Sequence, residues 1–370
     1  MIGVAICFWS LAHLPSLLTD LRDAMHYDNV DDVLTKLAKQ KRKVHLLLGN
    51  GFSVAYDSSI FSYNALFNFV ASQNDPLLTK VLGAMKTKNF ELMMAQLDAF
   101  STLLEVFDGD QSLKTKVTAA HEGLCRSLID AINSLHPEHV FKMSDEQSAA
   151  CAKFVNRFLE TGGSVFTSNY DLLLYWVLMR QNIPNACDGF GRELLNPVEV
   201  ENNVEETNWS ELRWGPNKLT QNVFYVHGAL PLFDTGTEVE KEQYDSNGYL
   251  LENINARIEA QHYPVFVTAG SGDDKVAQIR ANPYLADCYE HLSGVDGSIV
   301  TFGFGFGDSD LHIIEALNRA THFPSKSTPK LWSTYIGVFT EADIERAATL
   351  EKLLHCKVHT YDAKTAEIWG

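Results

Sequence analysis

Residues 43–53, which read KVHLLLGNGFS, decide the fold of this chain. The run Val44–Leu48 is short and mostly apolar, which is typical of a strand buried on both faces of a parallel sheet. It ends in Gly49-Asn50-Gly51, where two glycines allow a tight turn and let the backbone approach a ligand closely. Such a turn can offer backbone N–H groups to a phosphate, but it also occurs as ordinary turn chemistry, and the third glycine of the dinucleotide fingerprint is missing. This stretch alone therefore leaves both interpretations open.

Composition narrows the class of protein. The chain has 370 residues, of which 45% are hydrophobic, so it can bury a large core in one domain with insertions or in two domains. A formal net charge of −17 argues against a protein that binds a nucleic-acid backbone on its own. The six cysteines form no Cys-x-x-Cys pair, which excludes the usual zinc ribbon and favours buried, reduced thiols in a cytoplasmic protein. We expect no bound metal.

The first 18 residues are mostly apolar but carry no lysine or arginine ahead of their apolar part. Secretory signals carry positive charge there. His13, Pro15 and Ser16 interrupt the run, which is also too short for a comfortable membrane span. We therefore expect a buried segment or a helix that contacts another subunit, rather than a targeting signal, and no association with a membrane.

Helical periodicity divides the chain into an N-terminal helical segment, residues 1–40, and a main domain, residues 41–370. Acidic residues intersperse with leucine and valine at amphipathic spacing before residue 40. Inside the main domain, residues 75–160 lack strand signals and indicate helices over 76–82, 89–107, 113–135 and 143–159. We interpret them as a helical insertion that caps a site or carries an oligomer interface.

The rest of the main domain alternates strands with helices and loops. Residues 182–222 are rich in turn residues, and residues 273–291 indicate one helix. Two more strands with a helix between them are indicated over 331–339 and 356–361. This alternation is typical of an α/β protein with a parallel sheet.

Five apolar runs end in small or polar residues, and several of them then enter a helix. They end at Gly49, Thr167, His227, Ala269 and Gly303. Because ligands bind at the carboxyl ends of parallel strands, this pattern predicts a doubly wound sheet with a nucleotide site at one edge. Two residues there have a plain alternative: Asn169 can be a helix N-cap assisted by Asp171, and His227 can be a satisfied core histidine.

Four motifs in a fixed order carry a resemblance to a known group. They are GNGFS at 49–53, TSNYD at 167–171, HG at 227–228 and GFGFGDSD at 303–310. This set resembles the bacterial SIR2-like proteins over residues 43–340. Within them, the stretch 265–310, with its Arg280-x-x-Pro283-Tyr284-Leu285 segment, looks most like the group labelled domain of unknown function 4917.

The resemblance implies a Rossmann-like, SIR2-like domain that binds NAD. It implies a glycine-rich loop for the pyrophosphate, an asparagine motif beside the nicotinamide ribose, a catalytic histidine and a loop near the adenosine end. The catalytic residues it implies are Asn169, His227 and Asp171. The residues it implies for NAD binding are Gly49, Asn50, Gly51, Phe52, Ser53, Thr167, Ser168, Gly228, Gly303 and Gly305.

Three departures from sirtuin deacylases separate this chain from protein deacylation. The four-cysteine zinc ribbon is missing from the sequence, so no zinc is expected. Tyr56-Asp57-Ser58-Ser59 replaces an Ile-Pro-Asp-Phe-Arg stretch, and Gly303-Phe304-Gly305 replaces a Gly-Thr-Ser loop. Without the Thr and Ser hydroxyls, that last loop lacks these side chains for direct contacts with a ribose or a phosphate.

The remaining chemistry is cleavage of the N-glycosidic bond of NAD, with water as acceptor. The resemblance implies an NAD hydrolase that makes nicotinamide and ADP-ribose and depletes NAD in anti-phage defence by abortive infection. It also implies a homo-oligomer that acts with a HerA-like ATPase. A non-catalytic sensor of NAD or ADP-ribose, and an ADP-ribosyltransferase, are the alternatives.

Overall fold

The computed structural model describes residues 28–85, 87–88, 90–193, 209–244, 248–260, 262–267, 272–322 and 330–370. The predicted contact segment at residues 1–18 lies outside the described residues. So does the turn at 269–271 that follows the fourth apolar run.

A six-stranded parallel sheet forms the centre of the molecule, as the strand pattern predicts. Its strands pair in the order β11-β10-β9-β1-β2-β5, and each neighbouring pair is parallel. The chain builds outward from β1 on one side and then from β9 on the other, which is the 3-2-1-4-5-6 order of a dinucleotide-binding Rossmann sheet. The strands are β1 Val44–Leu48, β2 Val165–Thr167, β5 Val223–Tyr225, β9 Gly297–Phe302, β10 Leu331–Val338 and β11 Lys357–Asp362.

The central strands are apolar because helices cover both faces of the sheet. All five residues of β1 are buried, and so are all three of β2 and of β5. A strand covered on both sides cannot alternate apolar with polar residues, so its sequence is a continuous apolar run. This confirms the α/β, Rossmann-like fold expected from residues 43–53.

A second sheet of five strands was not anticipated. It has the order β3-β4-β7-β6-β8, with antiparallel pairing, and the strands are β3 Phe190–Gly191, β4 Arg213–Trp214, β6 Gly228–Asp234, β7 Val239–Lys241 and β8 Pro264–Phe266. The prediction that the fourth apolar run ends at Ala269 at the edge of the parallel sheet is therefore wrong. This run forms β8, which pairs antiparallel with β6 in the second sheet. Strands of two or three residues give too short a pattern to separate a parallel strand from a hairpin strand.

Fourteen helices flank the two sheets in the described part of the chain. They are α1 Val30–Lys39, α2 Gly51–Tyr56, α3 Ser58–Phe61, α4 Tyr63–Ser72, α5 Pro76–Ala84, α6 Phe90–Val106, α7 Gln111–Leu135, α8 Asp145–Leu159, α9 Leu173–Arg180, α10 Leu250–Glu259, α11 Gly272–Ala281, α12 Pro283–Ser293, α13 Leu311–Ala320 and α14 Glu341–Leu353. Within the described ranges, no helix has both the length and the apolarity that a bilayer crossing requires.

The four helices predicted between residues 75 and 160 are present, as α5 to α8. Helices α4, α5 and α6 pack on the long helix α7, whereas α8 lies on β1 and β2. A Ser144 capping box with Gln147 starts α8, and the buried face of this helix includes Cys151, Val155 and Phe158. The predicted insertion thus has two parts. Helices α5 and α6 pack on α7 beside the edge of the sheet, and α8 covers one face of the sheet.

The single helix predicted over residues 273–291 is wrong, because the chain breaks at Asn282-Pro283. Pro283 lacks the N–H that would continue α11, and the residue before a proline is pushed out of the helical region. The Asn282 side chain accepts from the N–H groups of Tyr284 and Leu285, at 3.1 Å each, and so caps α12. Proline and an N-cap together outweigh the continuous periodicity.

Candidate functional site

The loops after β1 and β9 meet at the point where the strand order reverses. The Gly49 N–H donates to the Phe302 carbonyl at 3.0 Å, and the Gly51 N–H donates to the Gly303 carbonyl at 2.8 Å. A Cβ on Gly51 would lie 2.5 Å from the Gly303 Cα, and Gly303 has a φ of +64°. The glycines therefore serve close backbone contact between two loops at the crevice where open α/β sheets bind ligands.

This contact engages backbone N–H groups that were predicted to bind a phosphate. The N–H groups of Phe52 and Ser53 also donate within the loop, to the carbonyls of Gly49 and Asn50. Four of the candidate N–H donors are thus engaged, those of Gly49, Gly51, Phe52 and Ser53. A phosphate here would need the Asn50 side chain or donors from other elements, so the cradle stays a prediction.

A cavity of about 470 Å³ opens beside these loops. Its polar wall comes from the loops after β1, β2, β5 and β9, and its apolar wall comes from α2, α3, α4 and α7. Ligand sites commonly combine an apolar lining with a few convergent polar groups. The apolar lining consists of Val54, Ile60, Phe61, Leu66, Leu128, Ile132 and Leu135.

The structure separates the sequence-predicted site residues into two groups. Those that line the cavity are Asn50, Gly51, Ser168, Asn169, Asp171, His227, Gly303 and Gly305. The others lie behind its wall: Gly49, Phe52, Ser53, Thr167 and Gly228. Phe52 packs on Trp369 at 4.8 Å between ring centroids, so its side chain belongs to the core rather than to the cavity lining.

Ser53 supports the polar wall from behind. Its hydroxyl donates to the Asp171 carboxylate, and it accepts from the Asn169 side-chain amide at 2.7 Å. All three residues are buried. These two hydrogen bonds join the first turn of α2 to the loop after β2. Asn169 and Asp171 stand 116 and 118 residues after Ser53 in the sequence.

This network fixes which way the Asn169 amide points. The only hydroxyl hydrogen of Ser53 is given to Asp171, so the atom of Asn169 that meets Ser53 must be the donor Nδ2. The Oδ1 atom is buried and has no hydrogen-bond partner among the described residues. A buried amide oxygen without a partner is costly, which is typical of an atom that a ligand or water satisfies.

Asp171 accepts a hydrogen bond at the start of a helix, and its pKa is shifted by its surroundings. Its second oxygen accepts the Leu173 N–H at 2.9 Å, at the start of α9. The capping alternative is therefore met by Asp171, while the Asn169 side chain turns to Ser53. Burial raises the pKa of Asp171, and the hydrogen bonds from Ser53 and from the Leu173 backbone oppose that shift.

His227 ends the segment after β5 and does not stand alone. Its Nε2 atom lies 2.8 Å from the Nε2 atom of His312, on the first turn of α13. Burial lowers the pKa of His227 well below its usual value, and His312 and Lys275 add to the effect. The pKa of His312 is lowered to about 3, again mainly by burial. Both rings are therefore neutral at physiological pH.

The site also contains residues that were not among the predicted site residues. Tyr170, Ser309 and Asp310 line the cavity, and Lys275 lies behind it, fully buried, with its Nζ 3.7 Å from the Asp310 carboxylate. Tyr170 belongs to the TSNYD motif, and Ser309 and Asp310 belong to the GFGFGDSD motif. Lys275 and His312 sit on helices, where a single polar residue gives no signal of its own.

A second cavity of about 700 Å³ lies on the other side of the same loops. It shares Gly51, Val54, Gly303, Phe304 and Gly305 with the first cavity. Its remaining walls come from the carboxyl ends of β10 and β11 and from the last residues of the chain, including Trp369, whose indole N–H donates to the Phe52 carbonyl at 2.9 Å. The crevice thus offers space on both sides of the paired glycine loops.

Among the described residues, no group of three or more His, Cys, Asp or Glu side chains is arranged to hold a metal ion.

Comparison with known proteins identifies one family for this chain. No curated protein matches the chain significantly. The profile described as domain of unknown function DUF4917 matches residues 46–369, from β1 to the penultimate residue and across every element of the site. The chain therefore belongs to the DUF4917 family.

Proposed function

We propose that this protein is a SIR2-like NAD hydrolase that releases nicotinamide and ADP-ribose. The observation that carries the proposal is Asn169, which lines the 470 Å³ cavity, is held by Ser53 and has a buried amide oxygen without a partner among the described residues. It stands at the switch point of a 3-2-1-4-5-6 sheet, where dinucleotides bind. NAD would place its nicotinamide half in this cavity and its adenosine half in the second one.

The chemistry follows from three side chains. When the glycosidic bond breaks, nicotinamide leaves as a neutral base with the bonding electron pair, and positive charge develops at the ribose carbon. A water held by the Asn169 oxygen adds to the opposite face of that carbon. The neutral His227 accepts the proton that the water gives up. As a carboxylate, Asp171 keeps Ser53 and Asn169 in place and stabilises the developing positive charge.

The apolar wall fits the same reaction. Helices α3, α4 and α7 close one side of the cavity with leucine, isoleucine and phenylalanine side chains. They keep bulk water away from the reacting carbon, so that the single positioned water is the acceptor.

One observation favours the sensor as a second candidate. His227 is only 2% exposed, and His312 occupies its Nε2 atom, so a single ring nitrogen remains for a ligand. A strongly lowered pKa also makes a weak base. A protein that binds NAD or ADP-ribose without cleaving it would tolerate both features.

A role in anti-phage defence is part of the proposal. Depletion of NAD would stop an infected cell, and an unregulated NAD hydrolase would harm its host. Control by homo-oligomer formation or by a HerA-like ATPase is therefore expected. The exposed apolar residues of α6 and of its end, Phe100, Leu103, Val106 and Phe107, are the candidate contact surface among the described residues.

The test follows nicotinamide release from NAD by chromatography. The purified chain is assayed alone and with any ATPase encoded beside it. Asn169→Ala should abolish release, and Asn185→Ala, which changes an exposed asparagine of a loop, should not. Wild-type release that survives in Asn169→Ala would remove the assigned role. NAD binding without release in every assembly state would establish the sensor instead, and a mass increase on an acceptor would establish transfer.

A further inference from the structure

His312 has specific contacts both on its ring and on its backbone. It is fully buried on the first turn of α13. Its ring lies between the ring of His227, with centroids 5.0 Å apart and planes at 28°, and the ring of Tyr289, at 6.4 Å and 20°. The Tyr289 hydroxyl donates to the His312 carbonyl at 3.0 Å. Both the backbone and the ring plane of His312 are thereby fixed.

The two histidines must share one hydrogen between their Nε2 atoms. Each ring is neutral and so carries a single N–H. At a separation of 2.8 Å, one Nε2 atom donates and the other is bare. Whichever ring donates through Nε2 must have a bare Nδ1 atom. The tautomer of His312 therefore determines the tautomer of His227.

The proposed reaction decides between the two tautomers. His227 lines the cavity and its Nε2 atom is taken by His312, so only its Nδ1 atom can accept a proton from water. A bare Nδ1 atom places the His227 hydrogen on Nε2, which then donates to the His312 Nε2 atom. The hydrogen of His312 lies on its Nδ1 atom, which is buried and has no hydrogen-bond partner among the described residues.

We propose that His312 is a positioning residue that holds the proton of His227 on Nε2 and so leaves the His227 Nδ1 lone pair free for the cavity. The inference rests on the proposed function, for which it assigns the base. His312 acts on His227 as the orienting acceptor of a catalytic triad acts on its histidine. In the opposite tautomer, the His227 nitrogen left for the cavity would carry a hydrogen and could not take a proton from water.

The proton transfer balances without another partner. The water oxygen bonds to the ribose carbon and gives its proton to the His227 Nδ1 atom. The resulting imidazolium keeps its Nε2–H bond to the His312 Nε2 atom, and the proton leaves Nδ1 for solvent when product departs. Fully buried Lys275 lies near both rings and lowers the pKa of each. By lowering these pKa values, Lys275 favours deprotonation of the imidazolium, which returns both histidine rings to the neutral state.

The first test reads the tautomer itself. Protein with 15N-labelled histidine is studied by NMR near neutral pH, and the two signals are assigned with His227→Gln and His312→Gln. The inference expects His227 protonated on Nε2 and His312 protonated on Nδ1. The reverse pair of tautomers would overturn it. This readout needs no NAD cleavage, so it decides the inference even if the proposed function fails.

The second test compares two substitutions of His312. His312→Gln can accept the His227 Nε2–H through its amide oxygen, whereas His312→Leu cannot. We expect kcat for nicotinamide release to fall about tenfold or more in the leucine variant, with KM within about twofold, and to recover partly in the glutamine variant. His355→Gln, at an exposed position, is the matched control and should match wild type. Equal kcat in the leucine variant and wild type would contradict the inference.

Discussion

Gly303→Ala tests the contact between the two glycine loops, on which the whole site depends. The new Cβ would lie 2.5 Å from the Gly51 carbonyl carbon and 2.5 Å from the Phe52 nitrogen, and both are backbone atoms that cannot rotate away. The φ of +64° adds the left-handed penalty of an alanine, about 1–2 kcal/mol. Overpacking against the neighbouring loop adds about 1–3 kcal/mol. We therefore expect a loss of about 2–5 kcal/mol in the free energy of unfolding.

Gly305 provides the matched control two residues away. A Cβ there would meet no atom within 4 Å, so Gly305→Ala should change the free energy of unfolding by less than about 1 kcal/mol. Urea unfolding followed by tryptophan fluorescence measures both variants, and an unchanged slope would show that only stability changed. If Gly303→Ala were as stable as Gly305→Ala, the loops would not be in contact and the site geometry would be refuted.

Three further predictions concern the buried polar groups. Ser53→Ala leaves the Asn169 amide nitrogen and one Asp171 oxygen without a partner, so the free energy of unfolding should fall by about 2–4 kcal/mol, against no loss for the exposed Ser72→Ala. The Asp171 pKa is raised by burial, so its contribution to stability is complete below its ordinary pKa and is lost as pH rises through the raised value. Asp171→Asn should therefore gain stability relative to wild type as the pH of urea unfolding is raised from the ordinary carboxyl pKa of about 4, and a gain in the opposite direction would contradict the raised pKa. Three buried histidines have lowered pKa values: His136, His227 and His312. Because the unfolded chain takes up protons first, the free energy of unfolding should fall by about 2 kcal/mol per histidine between pH 6.5 and pH 5, and a flat urea midpoint over this range would refute their burial as neutral rings.

The parallel sheet could be predicted because its signal is local and repeated. Residues 44–48 are mostly apolar and all buried, and Gly49-Asn50-Gly51 follows them; similar runs recur before Thr167 and Gly303. Such runs occur where both faces of a strand are covered. Strands β3, β4 and β7 of the second sheet gave no such signal, because two or three residues cannot show a period.

The site could be predicted only in part, for a physical reason. Asn169, Asp171 and His227 stand at the ends of recognisable strands, so the sheet itself brings them to one edge. Ser53 and His312 act from the first turns of helices, and their partners stand 116 and 85 residues away in sequence. Contacts of this kind depend on how far each helix rotates on the sheet, which hydrophobic periodicity does not determine.

The hydrogen bonds of the loop after β1 also could not be predicted from the sequence. The glycines at 49 and 51 were correctly placed at a tight turn, but their close contact is with the loop after β9. Glycine permits close approach of any group, and the sequence does not say which group approaches.

The most direct measurement is a structure of Asn169→Ala with NAD bound, since this variant should bind NAD without cleaving it. The account predicts NAD across the loops after β1 and β9. Its nicotinamide ribose should lie beside residue 169 and His227, and its adenosine should lie in the cavity at the ends of β10 and β11. NAD bound elsewhere, or bound here with its nicotinamide turned away from His227, would contradict the account.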